Sequence, residues 1–89
     1  MSWSVSLKNP ARKAFLVLEQ NWKNRITAEI NNLADNPLPK GVRKLKGIRN
    51  TYSLRLGSHR IVYLLDKIST SVTILKIGDR KEIYRRFGL

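Results

Sequence analysis

Three arginines and one tyrosine are spaced so that they could act together on a phosphodiester. Arg55 and Arg60 flank a Gly57-Ser58 turn between two apolar-rich stretches, residues 52–56 and 59–65. Arg80 follows Ile77-Gly78-Asp79, and Tyr84 comes four residues later. A guanidinium binds phosphate through bidentate, charge-assisted hydrogen bonds and stabilises charge that develops on it. A tyrosine hydroxyl can carry a proton, and its ordinary pKa of ~10 falls beside cations. Together these groups suit metal-free cleavage of RNA, in which the ribose 2′-hydroxyl attacks the adjacent phosphate. Basic residues on strands are also common in modules that only bind nucleic acid, so the side chains alone leave both readings open.

Other chemistries find little footing. There is no cysteine, hence no disulfide framework and no thiolate metal site, and a single histidine does not make a metal cluster. No glycine-rich nucleotide motif is present. Only six carboxylates exist, none paired near the basic segment, so a two-carboxylate hydrolase is not indicated. His59 falls opposite Leu56 at a hairpin end, on the core side, which suits a structural residue better than a member of a catalytic triad. No cofactor is expected.

The formal charge of +12 is one-sided. Residues 1–39 carry a net +2 and residues 40–89 a net +10, with no carboxylate between Asp35 and Asp66. Such a field attracts polyanions, and nucleic acid is the partner it fits best. The basic side chains Lys40, Arg43, Lys44, Lys46 and Arg49 cluster in a connection over residues 36–51, expected to be a long loop tacked down by Val42, Leu45 and Ile48. No stretch approaches the ~18 apolar residues of a membrane helix, and the N-terminus lacks a leader pattern, so a cytoplasmic protein with no membrane partner is expected.

The elements that must hold these residues follow from periodicity. Eighty-nine residues suit one domain, 1–89, with a small core. Residues 3–7 alternate apolar and polar, as a half-buried strand does. Asn9-Pro10 reads as an N-cap followed by proline in the first helical position. Ala11, Ala14, Phe15 and Leu18 mark one helix face. After a break near Gln20-Asn21, Trp22, Ile26, Ile30 and Leu33 mark a second, ended by Asp35-Asn36-Pro37. The two helices form an antiparallel hairpin. Gly57-Ser58 fits a type II′ turn, which pairs Leu56 with His59, Arg55 with Arg60, Leu54 with Ile61, Ser53 with Val62 and Tyr52 with Tyr63. Tyr52, Leu54, Ile61 and Tyr63 then share the core face, and Ser53, Arg55, Arg60 and Val62 the other. Two opposed arginines repel by roughly 0.2–1 kcal/mol, a poor structural choice and a good anion site. Residues 72–77 form a further strand, and residues 81–87 one or two helical turns. The fold class is α+β: an N-terminal strand, a helical hairpin on a small, mainly antiparallel sheet, and a short C-terminal helix.

The runs Lys44-Leu45-Lys46-Gly47, Tyr52-Ser53-Leu54-Arg55-Leu56-Gly57, His59-Arg60-Ile61-Val62-Tyr63, Ile77-Gly78-Asp79-Arg80 and Ile83-Tyr84 resemble the RelE toxins of the RelE/ParE superfamily. The similarity covers nearly the whole chain. It implies a type II toxin–antitoxin toxin, a ribosome-dependent endoribonuclease that cuts mRNA in the A site, with a RelB-like antitoxin as its cognate inhibitor. By this resemblance Arg55, Arg60, Arg80 and Tyr84 are catalytic. Lys40, Arg43, Lys44, Lys46, Arg49, Ser53, Lys81 and Arg85 contact RNA or the ribosome. Ser53 stands where the well-known bacterial RelE has a lysine proposed as general base. Ile83 stands where the YoeB-like branch has a histidine, and no glutamate substitutes as base. Tyr84 or a water held by the arginines is left as proton acceptor. The ParE branch, which shares the fold, poisons DNA gyrase and typically lacks the arginine and tyrosine set. A gyrase inhibitor and a non-catalytic RNA-binding module are the alternatives. The antitoxin is expected to bring an acidic, amphipathic segment that lies on the sheet or displaces residues 81–89.

Overall fold

The arginine-bearing hairpin closes in the register its turn dictates. In the computed structural model, which describes residues 2–87 without the side chains of Arg80, Tyr84, Arg86 and Phe87, β3 (Thr51–Leu56) and β4 (His59–Asp66) are antiparallel. Leu56 pairs with His59, Arg55 with Arg60, Leu54 with Ile61, Ser53 with Val62 and Tyr52 with Tyr63. Gly57 takes φ of 61°, a conformation that strains any residue bearing a Cβ. A Cβ there would also meet the Trp22 ring at 3.0 Å, so the turn needs glycine twice over.

The remaining elements are β1 (Ser4–Leu7), α1 (Asn9–Leu16), α2 (Gln20–Asp35), β2 (Arg43–Lys44), β5 (Ser71–Asp79) and α3 (Arg80–Phe87). They build one mixed sheet in the order β1-β5-β4-β3-β2, in which only β1 and β5 run parallel. The predicted helical hairpin covers one face. Ala11 of α1 and Ile26 and Leu33 of α2 pack on Leu54, Ile61, Tyr63, Leu65, Val72, Ile74 and Ile77. Full burial of each larger aliphatic among them contributes roughly 1.5–3 kcal/mol. The β4–β5 ladder slips between Val62 and Tyr63, because Lys76 pairs with Val62 and Ile74 with Tyr63. The unpaired Leu75 is a bulge that turns Ile74 and Ile77 to the same helix-covered face and sends Leu75 to the other.

Several boundaries differ from expectation, each for a local reason. Lys8, not Asn9, precedes the first helix. Its amide donates to the Ile74 carbonyl at 2.9 Å, which keeps it extended, and Asn9 is already helical. Its side chain makes no capping bond, and Pro10 serves the first turn, where its missing N–H costs nothing. The helical break falls at residues 17–19, ahead of Gln20, and leaves Leu18 beyond α1 but still packed on the core. The connection over residues 36–51 is not wholly irregular, since β2 extends the sheet by pairing Arg43 with Ser53 and Lys44 with Tyr52. Leu45 is buried as expected, whereas Ile48 is 40% exposed and does not anchor the segment. Tyr63 fastens its start instead, donating its hydroxyl to the Pro37 carbonyl at 2.6 Å. Among the described residues no helix is long and apolar enough to cross a membrane.

Candidate functional site

The sheet face turned away from α1 and α2 carries the cations. Cross-strand partners share a face, so the ladder sets Arg43, Ser53, Val62 and Lys76 in one row and Arg55, Arg60 and Gly78 in the next. The short helix α3 lies against this face. Ile83 is fully buried against Val62, Leu45 and the bulged Leu75. Gly78 permits the approach: a Cβ there would stand 3.0 Å from Glu82 Oε2 and 3.5 Å from Ile83 Cδ1. Asp79 caps the helix by accepting the Glu82 amide at 2.8 Å, and Lys76 Nζ lies 3.1 Å from Glu82 Oε1. An eight-residue helix is marginal by itself. The cap, the ion pair and Ile83 together hold it to the sheet.

The two opposed arginines occupy different environments. Arg60 is only 9% exposed, and its Nη1 donates to Ser53 Oγ at 3.1 Å as one of its interactions. Ser53 is fully buried, so in this conformation its hydroxyl serves Arg60 and offers no surface to a ligand, contrary to the expectation of direct RNA contact. Arg55 is exposed and donates from Nε to the Gly57 carbonyl at 3.2 Å, which curls it back along the turn. The hairpin pair is therefore one embedded guanidinium and one peripheral guanidinium, not two equally open ones.

The other expected contact residues are exposed, Arg43 in the cationic rows and Lys44 opposite Tyr52. Lys40, Arg43, Lys44, Lys46 and Arg49 are all exposed, and residues 44–49 line an open groove of about 670 Å³. Lys81 and Arg85 are exposed on α3. Arg80 opens α3 and Tyr84 follows one turn later, so the backbone puts them on one side of the helix. Their side chains lie outside the described residues. His59 has a structural setting: its ring packs on Trp22 with centroids 3.9 Å apart and planes tilted by 38°, and Arg25 lies 4.5 Å over the same indole.

Motif reading passed over two charged residues on this face, Lys76 and Glu82. Both had a signal. Lys76 interrupts an otherwise apolar strand, and Asp79 with Glu82 forms the D-x-x-E pattern of a helix start. Arginine pairs, basic grooves and an embedded guanidinium make a surface that can seat a phosphate and stabilise charge on it.

Comparison with known proteins places this arrangement. A family model described as the ParE toxin of the type II toxin–antitoxin system parDE matches residues 3–84. Toxin RelG of Mycobacterium tuberculosis (strain ATCC 25618 / H37Rv) is 36% identical over 55 residues, 62% of this chain and 63% of that toxin, so the match spans less than two thirds of either. The toxin–antitoxin complex RelBE2 of M. tuberculosis superposes with a TM-score of 0.79 at 25% identity, covering 90% of this chain and all of that one. The archaeal RelE–RelB complex of Pyrococcus horikoshii OT3 gives a TM-score of 0.80 at 27% identity, covering 90% of this chain and 97% of that one. In fold and in sequence the molecule falls within the RelE/ParE superfamily of toxins. Within it, the chain belongs to the ParE toxin family of type II toxin–antitoxin systems.

Proposed function

We propose that this toxin is an endoribonuclease that inhibits translation by cutting mRNA in the ribosomal A site, through metal-free attack of a ribose 2′-hydroxyl on the adjacent phosphate. The observation that carries the reading is Arg60. It is an arginine embedded in the sheet, bonded to Ser53, directly across from the exposed Arg55 and one strand from the start of α3. An embedded guanidinium has its hydration stripped and its geometry set before a ligand arrives, so its interaction with a phosphoryl oxygen is stronger than a mobile surface arginine could offer. Arg55 adds a second cation at the rim. Arg80 and Tyr84 belong to α3; their assigned roles are charge stabilisation for Arg80 and proton transfer for Tyr84. The exposed Lys40, Arg43, Lys44, Lys46, Arg49, Lys81 and Arg85 guide the RNA or the ribosome by charge. A free phosphodiester seldom adopts the in-line geometry, and the ribosome would impose it, a gain of several kcal/mol from orientation alone.

A RelB-like antitoxin completes the reading. The solved relatives include RelB–RelE complexes, and an acidic, amphipathic segment suits the half-chain of net +10. The description of the matching family as ParE favours a second reading, inhibition of DNA gyrase. Primer extension on a defined message separates the two. New 5′ ends inside A-site codons, dependent on ribosomes and lost with Arg60→Ala, are expected. Intact message together with trapped gyrase–DNA complexes would overturn the nuclease reading.

A further inference from the structure

We propose that Glu82, in place of Tyr84 or a water, is the proton acceptor of this site, an inference that rests on the nuclease reading above. The argument begins with the carboxylates. The chain has six: Glu19, Glu29, Asp35, Asp66, Asp79 and Glu82. Glu19, Glu29 and Asp35 belong to α2 or its cap, on the opposite face of the sheet. Asp66 ends β4 and accepts the amides of Ile68 and Ser69 in the turn beyond. Asp79 is committed to the α3 cap. Glu82 alone reaches the cationic face, because α3 sets it over the sheet.

Its position there is specific. Oε1 sits 3.1 Å from Lys76 Nζ, which orients the carboxylate. Oε2 occupies the space a Cβ on Gly78 would border, 3.0 Å from that position. Gly78 is the cross-strand partner of Arg60. Adjacent strands lie about 4.8 Å apart, so Oε2 lies over the strand next to the one that carries Arg60. A phosphate seated on Arg60 and Arg55 would thus have a carboxylate one strand to its side, near where the neighbouring 2′-hydroxyl lies. The other oxygen functions nearby are less suited. Ser53 is buried and accepts from Arg60, and a neutral hydroxyl is a poor base. Glu82 is half exposed, with 54% of its side chain accessible, so a ribose can reach it.

The step balances without any further reactant. Glu82 Oε2 takes the proton of the 2′-hydroxyl as the 2′-oxygen bonds to phosphorus, and the bond from phosphorus to the 5′-oxygen breaks. The 5′-oxygen acquires a proton from water, and Glu82 returns its own to water. The products are a 2′,3′-cyclic phosphate and a 5′-hydroxyl. Among the described groups, Lys76 of β5 touches the carboxylate, Asp79 accepts the Glu82 amide, and Arg60 of β4 stands across from Gly78; Lys81 and Arg85 are the exposed cations of the same helix.

The test is single-turnover cleavage of ribosome-bound message across pH, with wild type, Glu82→Gln and Lys76→Met, alongside ribosome binding and denaturant unfolding. Glutamine keeps the shape and the acceptor oxygen toward Lys76 but takes no proton, so the rate should fall about a hundredfold or more with binding unchanged. The wild type should lose rate as acid protonates Glu82, and Glu82→Gln should lack that limb. Lys76→Met removes the contact that orients Oε1 but leaves the base in place, so it should lower the rate and keep the acid limb. A latch that merely holds α3 would weaken stability and rate in both variants and leave the acid limb intact in Glu82→Gln, and that result overturns the proposal. So does a Glu82→Gln rate within threefold of wild type. If Glu82→Gln fails to fold, Glu82→Asp decides: a shortened carboxylate should keep the acid limb at a rate at least about tenfold lower, and an unchanged rate overturns the proposal. Absence of cleavage by wild type would instead overturn the nuclease reading itself.

Discussion

Arg60 and Ser53 are joined across the β3–β4 ladder, the guanidinium Nη1 donating to the hydroxyl at 3.1 Å on the face under α3. Ser53 pairs with Val62, so this bond runs diagonally, and it is buried at both ends. It reverses what opposed charges alone would suggest. On charge alone, replacing Arg60 relieves repulsion from Arg55 and leaves stability equal or higher. With the bond present, Arg60→Gln strands a buried hydroxyl, a loss of about 1–3 kcal/mol. Ser53→Ala removes a neutral acceptor from a charged donor and should cost a similar amount. The double variant should cost less than the two singles together, since both break one interaction. Urea melts of the four proteins measure the coupling; simple additivity would mean that the two side chains act separately.

Tyr63 gives the fold a pH dependence at its alkaline end. Burial, helped by the neighbouring Tyr52, pushes its hydroxyl well above the usual tyrosine range. The ring is fully buried and its hydroxyl donates to the Pro37 carbonyl. A raised folded-state pKa means that the unfolded chain ionises first. Stability from this group is complete below the unfolded value of ~10 and is lost as pH rises from there toward the folded value. Tyr63→Phe should lower stability near neutrality by about 0.5–1.5 kcal/mol, the worth of the bond. Above pH ~10 the gap between variant and wild type should narrow. Melts between pH 7 and 11 check both parts, and parallel curves would contradict the assignment.

Much of this was legible in the chain because strands have a period of two. Gly57-Ser58 allows one hairpin register, and that register places Arg55, Arg60 and Ser53 on one face without further information. Depth was not legible. Alternation assigns a face, but what covers it comes from distant segments: Leu45 and Ile83 of α3 close over Val62, and Arg60 in the next row is buried while Arg55 at the turn stays open. The bulge had a trace: Val72 and Ile74 keep step, and Ile77 breaks it. Glu82 was readable as part of a helix start but not as a group on the cationic face, since that depends on how closely α3 approaches Gly78. The β2 pairing was missed because two residues carry too little periodicity to declare a strand.

The hairpin tip offers a separate measurement of how the site is braced from behind. Gly57 stands against Trp22 of α2, whose indole also carries the His59 ring and the Arg25 guanidinium, and its carbonyl receives Arg55 Nε. Gly57→Ala should therefore pay twice, once for a Cβ at φ of 61° and once for the collision at 3.0 Å. Gly47→Ala isolates the first cost, because Gly47 has φ of 79° and nothing within 4 Å of a Cβ. Its loss should be about 1–2 kcal/mol. Gly57→Ala should lose about 1–3 kcal/mol more, from overpacking against a ring that cannot retreat without leaving His59. Trimming the ring in a Gly57→Ala, Trp22→Leu double variant should recover part of that excess. Indole emission in the single variant should shift as Trp22 moves, and cleavage should fall because the displaced turn carries Arg55 with it. Equal losses for Gly57→Ala and Gly47→Ala would show that the tip does not bear on Trp22, and α2 would then have no part in positioning the arginine.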